Sequence, residues 1–156
     1  TPDERGNLFT PLVDCRVGGF VHFVVNWVPG EDYDLVLYDT DGTTPLATVA
    51  AGVGQSATSP ERVQRIADVE LEAGSTYRLI AKPTTTNAIR LPRAVLDSAA
   101  AESLPAHAWG MTGTSRTDGG SWTDDPLSHY YIGPIITALD DGSGGGGTPF
   151  AYGYAG

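Results

Sequence analysis

The sequence predicts an all-β protein: an antiparallel β-sandwich, jelly-roll-like, with at most one short helix. Three observations predict it. Short β-branched and aromatic runs recur between breaks, and 20 glycines with 11 prolines supply those breaks. The run 33–38 (YDLVLY) is followed by Asp39, Thr40, Asp41 and Gly42 and then by a second strand-like run, which is the grammar of a hairpin. The stretch 62–71 alternates apolar and polar side chains with a period of two.

Taken in order, residues 1–12 read as an extended N-terminal arm containing Pro2, Gly6 and Asn7, which runs into a strand-like 8–13. Gly18 and Gly19 punctuate the chain, and 20–27 is apolar enough to cross the core with both faces covered. Pro29 and Gly30 end it. The hairpin 33–38 and 46–51 follows, then a polar loop over 54–60 and the alternating strand 62–71. Glu72, Ala73, Gly74 and Ser75 form a tight turn into the strand 76–82, which Pro83 stops. Residues 88–91 are a further strand candidate, and the alanine-rich 95–104 is the one plausible helix. Late strands are expected at 108–112 and within 127–139, separated by a polar loop over 113–125.

The chain is long enough for one packed domain, and its 40% hydrophobic content supplies the core. The domain is placed at 13–139. Beyond it, 140–156 reads as a glycine-rich hinge, Gly144 to Gly147, bearing an aromatic arm. In an extended arm Phe150, Tyr152 and Tyr154 fall on one side. Together with Leu8 and Phe9 of the N-terminal arm they are the candidate interface residues.

Nineteen acidic against nine basic residues give a net charge of −10, which opposes a nucleic-acid partner. The apolar run 20–28 is too short to span a bilayer and carries His22 and Asn26, so membrane insertion is not expected. Cys15 is alone, and a buried inert thiol is its expected state.

The chemical constellations are sparse. Asp39 and Asp41 form a weak calcium candidate, but an EF-hand loop needs a bidentate Glu that does not follow, and turn formation accounts for both residues. His22, His107 and His129 lack metal-ligand spacing, and no Gly-x-Ser-x-Gly elbow is present, so neither a catalytic residue nor a cofactor is assigned. Trp109 and Trp122 with Asp118 and Asp124 could make a sugar platform of stacking rings and hydroxyl-accepting carboxylates. Core or interface packing is the competing use of such aromatics.

Five blocks in one order carry a resemblance: 3–9 (DERGNLF), 34–43 (DLVLYDTDGT), 77–85 (YRLIAKPTT), 115–124 (SRTDGGSWTD) and 136–142 (ITALDDG). Together they resemble a family of uncharacterised β-rich proteins from environmental bacterial and phage-derived sequences. That resemblance implies a jelly-roll or related sandwich and a place on a particle or appendage surface, and it transfers no catalytic residue. The hairpin motif alone is similar to bacterial pre-peptidase C-terminal domains.

The sequence therefore points to a non-enzymatic structural subunit of an extracellular assembly, a phage virion component or a surface filament, built as a homo-oligomer or polymer through its sandwich and terminal arms. The alternative is a carbohydrate-binding or accessory module of a secreted protein, with a surface glycan as partner.

Overall fold

A computed structural model describes residues 3–23, 32–51, 62–84, 93–95, 111–117 and 119–140. These residues form eleven strands: β1 (Asp3–Phe9), β2 (Asp14–His22), β3 (Tyr33–Tyr38), β4 (Pro45–Ala50), β5 (Arg62–Leu71), β6 (Tyr77–Pro83), β7 (Arg93–Val95), β8 (Thr112–Thr117), β9 (Thr123–Asp125), β10 (Ser128–Tyr130) and β11 (Ile132–Asp140). Among the described residues there is no helix, so none long and apolar enough to cross a membrane. Of the expected helix 95–104 only Val95 is described, and it ends β7; the strand candidate 88–91 lies outside the described residues.

A six-stranded sheet in the order β4-β3-β6-β1-β8-β9 faces a three-stranded sheet in the order β11-β2-β5, and β10 pairs with β7 in a two-stranded ribbon. Every pairing is antiparallel. The first six strands are nested: β1 pairs with β6, β2 with β5 and β3 with β4. A chain folded back on itself as one long hairpin and then rolled across two sheets gives this nesting, which is the wrapping of a jelly roll.

The core lies between the layers. From the six-stranded sheet come Phe9, Tyr33, Leu35, Leu37, Tyr77 and Leu79, and from the facing sheet Val17, Phe20, Leu71 and Ile132. Leu35, Leu37 and Leu79 are fully buried, and each removes enough apolar surface from water to contribute about 2 kcal/mol. Cys15 packs in the same core, where burial and then the nearby Asp14 raise its thiol pKa to about 11. Its expected state as a buried thiol matches this position.

The N-terminal segment departs from expectation. Asp3–Phe9 is not an arm but β1, an interior strand held between β6 and β8, with Phe9 1% exposed in the core. Phe9 is therefore spent on its own fold and is not an interface residue, while Leu8 lies half-buried between Arg78 and Thr112 in register. Gly6 reads as a flexible position in sequence, yet it is needed for close packing. A Cβ there would stand 1.9 Å from the Leu79 carbonyl oxygen, so only glycine lets β1 sit against β6. Gly18 and Gly19 likewise lie inside β2 and do not end it. The loop expected over 113–125 contains β8 and β9, whose Thr and Ser residues carry no apolar alternation.

One side-chain device joins the layers. Asn7, wholly buried in β1, donates through Nδ2 to the carbonyls of Tyr130 (2.7 Å) and Ile132 (2.8 Å) and accepts the Tyr130 N–H through Oδ1 (2.9 Å). It fixes the bend at Tyr131, where the chain leaves β10 for β11.

Candidate functional site

The outer face of the six-stranded sheet is where chemistry-bearing side chains gather. Alternation sends Leu35 and Leu37 of β3 to the core and Val36 and Tyr38 to the other face, where they pack with Ile80 beneath the half-buried Trp122. Register then brings Glu4 of β1 directly opposite Arg116 of β8, and Tyr38 of β3 opposite Arg78 of β6.

The centre of this face is an ion pair almost free of water. Arg116 donates from Nε (2.9 Å) and Nη2 (3.0 Å) to the two Glu4 carboxylate oxygens, a bidentate geometry, with side chains 9% and 4% exposed. Tyr38 donates its hydroxyl proton to Glu4 Oε2 at 2.8 Å. Burial, followed by the adjacent Glu4 carboxylate, pushes the Tyr38 phenol up to about 12, so it stays a donor across the physiological range.

Trp122 closes the cluster from above. The Arg116 guanidinium lies 4.4 Å and that of Arg78 5.0 Å from its ring centroid, and Tyr38 meets it edge-on at 6.0 Å. The indole N–H donates to the Gly42 carbonyl at 2.9 Å, tying the β8–β9 turn to the β3–β4 turn. Gly42 has φ 69°, and a Cβ on it would stand 2.9 Å from the indole nitrogen, so glycine serves both the turn and the contact. Arg78 also reaches Asp124 Oδ2 at 3.7 Å, and Asp124 Oδ1 accepts from the Thr114 hydroxyl at 2.6 Å.

Of the sugar-platform residues, Trp122 and Asp124 are brought together on this face, with Arg78 between them. Trp109 and Asp118 lie outside the described residues, as do the interface candidates Phe150, Tyr152 and Tyr154. Glu4, Tyr38, Arg78 and Arg116 belong to the cluster and were not singled out from sequence. Glu4 and Arg116 are 112 residues apart, and no local signal connects them. A signal for the cluster did exist in β3, where apolar residues at every position from Leu35 to Tyr38 require cover on both faces.

The acidic hairpin is occupied by its own turn. Asp41 Oδ1 accepts from the N–H groups of Thr43 (2.7 Å) and Thr44 (2.8 Å), and Oδ2 accepts from the Thr44 hydroxyl (2.6 Å). These bonds to Thr44 and Thr43 hold the Asp41 carboxyl well below its usual range. Asp39 accepts from the Thr40 N–H at 2.7 Å. Among the described residues, no three His, Cys, Asp or Glu side chains converge as metal ligands would.

His22 is 1% exposed at the end of β2, where Nε2 and the Tyr33 hydroxyl share a hydrogen bond of 2.7 Å. Burial, and then the nearby Arg62 charge, lower its pKa to about 4, so the ring is neutral near pH 7.

The chain matches no protein-family model, no curated protein and no solved structure.

Proposed function

We propose that this chain is a non-enzymatic structural subunit of an extracellular assembly, a phage virion component or a surface filament, that associates with copies of itself through its sandwich and its C-terminal segment. The observation that carries this reading is the three-stranded sheet, which has β11 and β5 at its two edges with no further strand on either among the described residues. Open edges present backbone donors and acceptors to another chain. The N-terminal segment no longer contributes, because β1 is interior. The outer-face cluster supports the same reading: Glu4, Arg116, Tyr38 and Trp122 bind one another and brace the sheet.

Residues 148–156 supply the second contact in this proposal, through the stripe of Phe150, Tyr152 and Tyr154. Deleting 148–156 tests it. Assembly weakened but not abolished, with an unchanged monomer melting temperature, is the expected result, whereas normal assembly of the truncated chain removes the segment from the proposal.

A carbohydrate-binding module is the second reading, favoured by Trp122 and Asp124 standing on one outer face with Asp124 47% exposed. Binding of the full chain to a glycan array, abolished by Trp122→Ala, is the result that would select it.

A further inference from the structure

We propose that β5 is a self-complementary edge through which two copies of this chain pair antiparallel, continuing the three-stranded sheet across a two-fold axis. The proposal rests on the structural-subunit reading and identifies which edge performs the association.

The four edge strands of the two facing sheets are not equivalent. β9 has three residues, β4 opens on Pro45, and β11 carries Pro134 within its ladder. Short length and proline are the usual means of making an edge unreceptive, since proline withholds a donor. β5 runs for ten residues with neither proline nor glycine, and no strand lies beyond it among the described residues.

Its charges are arranged by sign. Arg62 and Arg65 occupy the first half, Asp68 and Glu70 the second. Charges on an edge ordinarily repel a second strand, but this polarity is self-complementary when two copies run antiparallel, because each positive half then faces a negative one.

The faces of β5 select a register. Gln64 and Val69 stand opposite the buried Phe20 and Val17 and so face the core, whereas Val63 and Arg65 stand opposite Val21 and Gly19 on the outer face. The irregularity between Val17 and Gly19 places 66–68 opposite Gly18 alone and shifts the alternation, so that Glu70, paired to Arg16, is also on the outer face. In a sheet continued by a two-fold axis, core-facing residues must oppose core-facing residues. Of the registers that meet that condition outside the irregular 66–68, the one that overlaps the whole strand sets Gln64 against Val69 of the second copy, Val63 against Glu70, Arg62 against Leu71, and Arg65 against Asp68, with each pair occurring twice. A register that opposes Arg62 to Glu70 instead would set a core-facing residue against an outer one. The irregularity at 66–68 lies on the axis and interrupts the ladder there, which removes hydrogen bonds from the interface and weakens the dimer.

Sedimentation velocity on the full chain tests this with Arg65→Asp and Asp68→Arg. The wild type is expected to dimerise, more weakly at high salt, and each variant alone to lose at least tenfold in affinity because like charges then meet twice. An equimolar mixture of the two variants should regain the dimer as a heterodimer, which neither variant could do if misfolded. In parallel, the β5 amides that point away from β2 should gain hydrogen-exchange protection in the wild type as concentration rises. If the wild type assembles but both variants assemble equally well, or the β5 amides stay unprotected, the edge assignment is overturned and association runs through another surface. A wild type that stays a single monomeric species at every concentration overturns both this proposal and the structural-subunit reading.

Discussion

Asn7 holds Tyr130 by both its main-chain groups, donating to its carbonyl at 2.7 Å and accepting its N–H at 2.9 Å, so one side chain does what a neighbouring strand would do. The contact spans 123 residues and is fully buried. Asn7→Ala would leave three buried main-chain groups without partners, and it should destabilise the fold by about 3 kcal/mol, each orphaned group costing on the order of 1 kcal/mol or more. Urea unfolding measures this. A loss under about 1 kcal/mol would mean that water takes over the amide's role.

The Glu4–Arg116 pair should show strong non-additivity. Arg116→Met strands the Glu4 carboxylate, 4% exposed, and is expected to cost about 3 kcal/mol. Glu4→Leu with Arg116→Met should cost clearly less than the sum of the single changes, because no charge is then left buried. Additive costs in a double-mutant cycle would show that the pair is not coupled.

Acid should weaken the fold in two stages. The His22 pKa is lowered from 6.5 to about 4 in the folded chain, so the unfolded chain takes up the proton first. Stability is then full above pH 6.5, falls as pH drops from 6.5 towards 4, and loses at most about 3 kcal/mol to this residue. Burial lowers the His129 pKa also, so its contribution is likewise lost as pH falls below 6.5. Below about pH 4 the carboxylates held low by their hydrogen bonds, Asp3 and Asp41, take over the loss. Melting temperatures at pH 7 and pH 4.5 for wild type and His22→Gln measure the first stage. An unchanged pH dependence in the variant would remove His22 as its cause.

Chelation should leave the melting temperature unchanged. Both Asp41 oxygens are engaged by Thr43 and Thr44, which is turn chemistry complete in itself. A drop in EDTA that calcium restores would show that the hairpin carboxylates serve an ion instead.

What the sequence revealed and what it hid divide along one physical line. The bounds of β3 and β5 were legible to the residue because their signal is local, a continuous apolar run in one and a period of two in the other, but the irregularity at 66–68 breaks that period, so Val63 faces out while Val69 faces the core. The glycines misled. Gly6, Gly18 and Gly19 look like breaks, but each marks a place where another strand or side chain approaches too closely for a Cβ, and such approaches exist only after folding. β8 and β9 were hidden in a polar stretch because their outward residues serve an ionic cluster, so no apolar alternation was available to reveal them. The cluster itself combines residues from β1, β3, β6 and β8, and sequence offered Trp122 and Asp124 without the arginines that engage them.

The central claim, that this chain works by associating with itself, is tested most directly by the solution mass of the 156-residue chain by light scattering across a concentration series. The account predicts a mass that rises above that of one chain as concentration increases and falls back in high salt. A mass equal to one chain at every concentration and ionic strength would contradict it.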